Sequence, residues 1–245
     1  LSAPIDHREF VWRLHEATPR TWVTPVLVGL NVLVWLLNIA SGMSPISPRP
    51  IDLALWGANH LPLTIEQPWR LLAATFLHGG IVHLAFNMWA LWDTGRLAER
   101  FYGNPQLLLI YLVAGLSGSV ASLFFSARTG VSVGASGAIF GVVGCLLAAI
   151  FTKAHKLPPA LVQSMRSSML TFVGFSLFMG FTAGFIDNAA HIGGLAGGFV
   201  MGMVLAEKFD VDEYRRQAPV RAVLAVLLAA LVLGAAWRLL PASVA

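Results

Sequence analysis

The sequence predicts an all-α membrane protein, a polytopic helical bundle of seven spans with its N-terminus on the cytoplasmic side. Hydrophobic residues make up 57% of the 245 and charged residues only 11%, against roughly a quarter charged in soluble globular domains. The apolar residues gather into seven blocks of about 18 to 22, the length a helix needs to cross a hydrocarbon core of about 30 Å. Lys and Arg are spread unevenly over the connections, which sets the orientation.

Residues 1–22 read as a cytoplasmic N-terminal segment. The first apolar block runs from about Val23 to Ala40. The long connection 41–80 carries Ile51, Leu53, Leu55, Trp56, Leu61, Leu63 and Ile65. So apolar a loop does not float free in water, and short helical pieces in the membrane interface are expected. The second block is about Ile81 to Leu97, the third Gln106 to Ser126, the fourth Ala135 to Phe151, the fifth Ser168 to Ile186 and the sixth Ala189 to Ala206. Residues 23–206 thus form a six-helix core. The mixed-charge stretch 207–219 reads as a cytoplasmic linker to a seventh helix within 220–245, centred on about Val220 to Leu240. Backbone polar groups cannot face lipid unpaired, so each block is a helix.

With the N-terminus inside, that side holds Arg8, Arg13, Arg20, Arg96, Arg100, Lys153, Lys156, Arg166, Lys208, Arg215, Arg216 and Arg221, leaving Arg49, Arg70, Arg128 and Arg238 outside. A pI near 9.7 therefore reflects topology, and no basic face with aromatic stacking positions suggests a nucleic-acid partner. The single Cys145 excludes an internal disulfide framework. No cleavable signal peptide is evident, and a chain beginning at Leu1 leaves its natural start open.

Polar groups inside spans are costly and therefore carry functional expectations. His7, His15, His60 and His155 fall in loops or the tail; His78, His83 and His191 do not. Spans two, four and six all run from outside to inside. His83 near the start of span two, Ser136 at the start of span four and His191 near the start of span six therefore share one depth below the outer surface. Asn87 lies one turn deeper than His83 on the same face.

Such a set suits acyl transfer. Serine is a weak nucleophile until a base takes its proton, and neutral histidine does so near neutral pH. Ser136 and His191 are the candidate pair. Asn87, His83 and the Ser136 N–H at a helix start are candidate donors to an oxyanion. Asp187, four residues before His191, is a weaker candidate to orient the imidazole, and a dyad is the preferred reading. Ala190, Gly194, Gly198 and Gly202 form a small-residue stripe that lets span six approach span four, which presents Gly137, Gly141, Cys145 and Ala148. Phe140, one turn below Ser136, is then expected against the His191 ring.

Each feature also has a plainer reading. Taken alone, Gly134 to Gly137 reads more readily as helix-packing small residues, and His78 with His83 as a metal pair. The metalloprotease pattern H-E-x-x-H is absent, as is a carboxylate ligand in these spans. Paired-aspartate chemistry is disfavoured as well, since the spans hold only Asp93. No metal or cofactor is expected. A proton relay would need polar groups in the inner halves of spans four and six, which are Gly, Ala, Val and Leu.

These residues together resemble the rhomboid family of intramembrane serine proteases, over about Val23 to Ala206. Gly134, Ala135, Ser136 and Gly137 match its G-x-S-G motif, and Ala190, His191, Gly194 and Gly198 its A-H-x-x-G-x-x-x-G motif. His83 and Asn87 match H-x-x-x-N, with His78 preceding. Gly95, Glu99 and Gly103 match the element after span two, and Trp69 and Arg70 the Trp-Arg pair of the first outer loop.

The resemblance implies Ser136 as nucleophile and His191 as base. His83, Asn87 and Gly134 then belong to the oxyanion and substrate-binding site, with His78, Phe140, Gly194 and Gly198 in support. It also implies transmembrane protein substrates cut near the outer face; a compact chain with no organelle-type Arg/Ser-rich presequence in view makes a bacterial cytoplasmic membrane the expected location. Candidate routes for substrate entry are Thr171 to Phe185 and the loop around Asp187. Phe140 stands where many bacterial members carry Tyr, and the seventh helix extends the six-helix core. Loss of Ser136 or His191 would have favoured an inactive, client-binding relative, and both are present.

Overall fold

A computed structural model describes residues 6–125, 130–183 and 186–240. The described chain is helical throughout, with one isolated bridge between Asn59 and Ser132. Helix α1 spans His7–Ala17 and α2 Val23–Ala40. Three short helices follow, α3 Pro50–Trp56, α4 Leu61–Glu66 and α5 Arg70–Ala73, the last continued by a 3₁₀ turn Ala74–Phe76. The long helices are α6 Ile81–Tyr102, α7 Asn104–Phe124, α8 Ser136–Lys153, α9 Pro159–Ala183, α10 Asn188–Val204 and α11 Val211–Arg238. By length and composition α2, α7, α8 and α11 can each cross a membrane, and the pair Arg70–Phe76 with Ile81–Tyr102, bent by 93°, makes a fifth candidate.

Helix α8 is the axis of the bundle, with every residue from Gly137 to Ile150 buried. Its glycines set the spacing to α10 and α7. A Cβ on Gly198 would overlap the Gly141 backbone, one on Gly202 would sit 2.7 Å from Cys145 Cα, and one on Gly118 of α7 would sit 2.7 Å from Ala190 O. Small residues let the three backbones meet, so dispersion contacts replace the hydrophobic drive that lipid cannot supply. At the far end of this trio Tyr102 Oη donates to Cys145 O at 2.9 Å and Gln106 Nε2 to Ala206 O at 3.0 Å.

The other boundaries follow from capping. Trp22 offers α2 no side-chain cap. Glu99 of α6 accepts instead from Val23 N at 2.7 Å, Thr24 N at 3.1 Å and Thr24 Oγ1 at 2.6 Å. A carboxylate at that helix start satisfies orphan N–H groups and meets the positive end of the dipole. Helix α6 therefore continues past Leu97, where the apolar block stops, to Tyr102. Gly95 is small because a Cβ would lie 2.9 Å from Thr24 Oγ1, and Gly103, at φ +81°, turns the chain directly into α7. In the first connection the buried Arg70 donates through Nη1 to Ala54 O at 2.6 Å and through Nε to Gln67 Oε1 at 3.0 Å.

Two helices begin earlier than their apolar blocks. Helix α9 starts at Pro159 rather than Ser168, taking in Arg166, whose guanidinium lies 5.7 Å from the Phe151 ring centroid. It packs loosely, burying only Met165, Met169 and Gly180 among its described residues. Helix α11 starts at Val211 rather than Val220 and runs through Pro219, so most of the expected linker 207–219 is helical. Pro219 costs one main-chain hydrogen bond, and Asp210 caps the start by accepting from Glu213 N at 2.9 Å and Asp212 N at 3.0 Å. The expected end of the third span at Ser126 lies outside the described residues. So do residues 184–185 of the candidate entry route.

Candidate active site

Ser136 is the first residue of α8, so its N–H has no intrahelical acceptor. The loop before it is fixed by main-chain bonds: Asn59 N to Ser132 O at 3.0 Å, Ser132 N to Asn59 O at 2.8 Å and Gly134 N to Ala74 O at 2.9 Å. Gly134 has φ +129°, and a Cβ there would lie 2.8 Å from both Cε1 and Nε2 of His83 and 3.7 Å from Ser136 Oγ. Conformation and space both require glycine. The same close approach sets the His83 imidazole beside the serine.

The proton on His83 follows from its partner. Gly79 N donates to His83 Nδ1 at 3.2 Å. Because a backbone N–H can only donate, neutral His83 carries its proton on Nε2, the nitrogen near Gly134 and Ser136. Asn87 is buried; its Nδ2 donates to His83 O at 2.9 Å, leaving a second N–H free to donate. His78 is buried and packs edge-on against His83, with centroids 5.1 Å apart. Gly79 engages His83 Nδ1, and no group of three His, Cys, Asp or Glu among the described residues could hold a metal ion.

His191 is buried in the first turn of α10. The crossing of α8 and α10 packs its turn against the start of α8: a Cβ on Gly137 would lie 3.2 Å from Ala190 O, and one on Gly194 would strike the Gly137 backbone. The Phe140 ring stacks on the imidazole with centroids 4.1 Å apart and planes 9° apart, and Phe172 of α9 packs on Phe140 from 5.4 Å.

His191 Nδ1 has no hydrogen-bond partner among the described residues. Asp187 makes no hydrogen bond to that nitrogen. Its Oδ1 accepts from Ala190 N at 3.0 Å, and its Oδ2 from Ser132 Oγ at 2.5 Å and from Ser122 Oγ. Neither serine was visible as a site residue in the sequence, because no spacing links 122, 132 and 187.

Phe140 carries a prediction. Phe140→Leu removes the stack, worth about 0.5–1.5 kcal/mol for an aromatic pair; if His191 acts as a base on Ser136, kcat falls by roughly 2- to 12-fold. Phe140→Tyr keeps the stack and stays within about twofold, and steady-state kinetics of the purified protein measure both.

The fold and site define a polytopic helical membrane protein with a serine and a histidine at the crossing of two glycine-faced helices. The sequence matches the Rhomboid domain family over residues 65–208. It is 38% identical over 217 residues to the rhomboid protease GluP of Bacillus subtilis (strain 168), covering 86% of this chain and 39% of that protein. It is 41% identical to RHOMBOID-like protein 4 of Arabidopsis thaliana, covering 75% of this chain and 52% of that one. Identity to the rhomboid protease AarA of Providencia stuartii is 31%, over 70% of this chain and 68% of that protein. The chain belongs to the rhomboid family and is a multi-pass integral membrane protein. It spans about two fifths to half the length of the first two of these relatives.

Proposed function

We propose that this chain is a serine endopeptidase that hydrolyses peptide bonds in or beside transmembrane helices of other membrane proteins. The observation that carries the reading is the neighbourhood of Ser136: the unpaired start of α8, His83 Nε2 beside Gly134, and His191 stacked on Phe140 across the glycine crossing. Two relatives named as rhomboid proteases support it.

In this reading Ser136 Oγ attacks the scissile carbonyl carbon while His191 takes the hydroxyl proton. The negative oxygen of the tetrahedral intermediate meets the Ser136 N–H, the His83 Nε2–H and the second Asn87 amide N–H, each good donor being worth roughly 3–4 kcal/mol. His191 returns the proton to the departing amine, leaving an acyl-enzyme on Ser136. A water that gives its proton to His191 then attacks the ester, and Ser136 is released when the proton returns to it.

Helices α2 and α6 to α11 all span the membrane in this proposal, with α1 and the N-terminus cytoplasmic, and the starts of α6, α8 and α10 share the outer leaflet. Residues 23–206 are the catalytic core, and α11 is appended. The Bacillus and Providencia relatives are in keeping with a bacterial cytoplasmic membrane.

A helix hides its carbonyls, so substrates need a segment that unwinds easily. His83 packs against Gly134 and the Ala190 carbonyl against Gly137 on either side of the serine, and so tight a surround favours a small residue at the cut. Purified protein in detergent is expected to cleave a single-pass substrate with Ala at that position at least tenfold faster than one with Phe, as filling a tight pocket costs about 1–3 kcal/mol. Equal cleavage of both would remove the size argument. Absence of cleavage across several helix-destabilised substrates would favour a relative that only binds its clients.

A further inference from the structure

We propose that Asp187 is a positioning residue for the Ser136 and His191 chemistry, and the proposal rests on the function inferred above. A helix N-cap needs one acceptor for one or two orphan N–H groups, and Oδ1 of Asp187 supplies it through Ala190 N. The second oxygen has another task. It accepts from Ser132 Oγ, four residues before the nucleophile, and from Ser122 Oγ near the end of α7. One carboxylate thus binds three segments: the end of α7, the nucleophile loop that follows it, and, more than fifty residues further on, the turn of α10 that carries His191.

The main chain continues the linkage. His191 N donates to Asp187 O at 3.1 Å, so the base hangs from the same residue whose side chain holds the loop before Ser136. A shift of either partner stretches a hydrogen bond to Asp187, and misplacing reacting groups by about 1 Å can cost about a hundredfold in rate.

Asp187 also brings charge without contact. His191 Nδ1 has no partner among the described residues, so the imidazolium formed when Ser136 gives up its proton receives no carboxylate hydrogen bond. The carboxylate of Asp187, four residues earlier and at the start of the same helix, is of opposite sign and favours that imidazolium through space. This division differs from a triad, in which one carboxylate both orients the base and faces its charge. Here Phe140 fixes the ring plane, and Asp187 fixes the helix start and supplies the charge.

The test separates positioning from capping. Asp187→Asn keeps a good N-cap but removes the charge, and it replaces the oxygen that accepts from Ser122 and Ser132 with an amide nitrogen that only donates, so both hydroxyls must turn from donor to acceptor. In detergent, Asp187→Asn is expected to unfold within about 3 °C of the parent, while kcat for a single-pass substrate falls about tenfold and KM stays within about twofold. Ser132→Ala is expected to lower kcat several-fold in the parent and to add little on the Asp187→Asn background, because both act through one linkage. If the parent cleaves, Ser136→Ala does not, and Asp187→Asn matches the parent in kcat, the positioning role is wrong while the protease reading stands. A kcat loss that follows only the folded fraction also overturns it. If the parent neither cleaves nor reacts at Ser136 with a fluorophosphonate, the protease reading fails and this inference fails with it.

Discussion

Ser136→Ala and His191→Ala are each expected to lower kcat for cleavage of a single-pass membrane substrate by at least about a thousandfold, with the double variant no slower than either alone. Nucleophile and base act as a unit, so removing one leaves the other with nothing to do. The residual rate comes from substrate binding and the oxyanion donors, which both variants retain. His83→Ala keeps the dyad but removes the Nε2 donor beside Gly134, and one lost donor costs about 10²–10³ in kcat. The order of effects, dyad above His83 and His83 above Phe140→Leu, distinguishes this site from three helices that merely pack small residues together.

The second large effect is on the fold. Gly198→Val drives a branched side chain into the Gly141 backbone, where no rotamer can yield, and forces α8 and α10 apart. Ordinary overpacking costs about 1–3 kcal/mol because side chains shift. Here the obstacle is main chain, so the loss is about 3 kcal/mol or more, read as a lower midpoint of thermal unfolding in detergent. Gly174→Ala is the control: a Cβ there has nothing within 4 Å, and the change stays within about 0.5 kcal/mol of the parent or improves on it. If Gly198→Val unfolds with Gly174→Ala, the glycine stripe is not what joins the two helices.

What could be read in the sequence depended on how local its cause is. The limits of α2 at Val23 and Ala40 coincide with its apolar block, and the stacking of Phe140 on His191 followed from two small-residue stripes facing each other. Helix α6 outran its block because Glu99 is satisfied by the start of α2, more than seventy residues away in the chain. Hydropathy sees there only a charge that ought to end a span. For the same reason α9 hides its start behind Arg166, and α11 behind Pro219 and the charges from Asp210 to Arg216.

The site divides in the same way. Ser136, His191 and His83 stand out in the sequence as polar groups at one expected depth, with Asn87 one turn deeper, once the spans take the direction that the charge pattern suggests. The proton on His83 Nε2 depends on Gly79 N, and the engagement of Asp187 depends on Ser122 and Ser132. The first is a local contact with the turn before α6 and the others are tertiary; no periodicity encodes either, and the tertiary ones turn Asp187 from a weak candidate for the triad carboxylate into a linkage among three segments.

The most direct test of a serine nucleophile in the bundle is labelling of the purified protein by a fluorophosphonate, with the modified residue mapped by mass spectrometry. The account predicts adduct on Ser136 in the parent and labelling at least about a hundredfold slower in His191→Ala, since without the base the hydroxyl is not activated. Labelling of another serine, or equal labelling of Ser136 with and without His191, would contradict it.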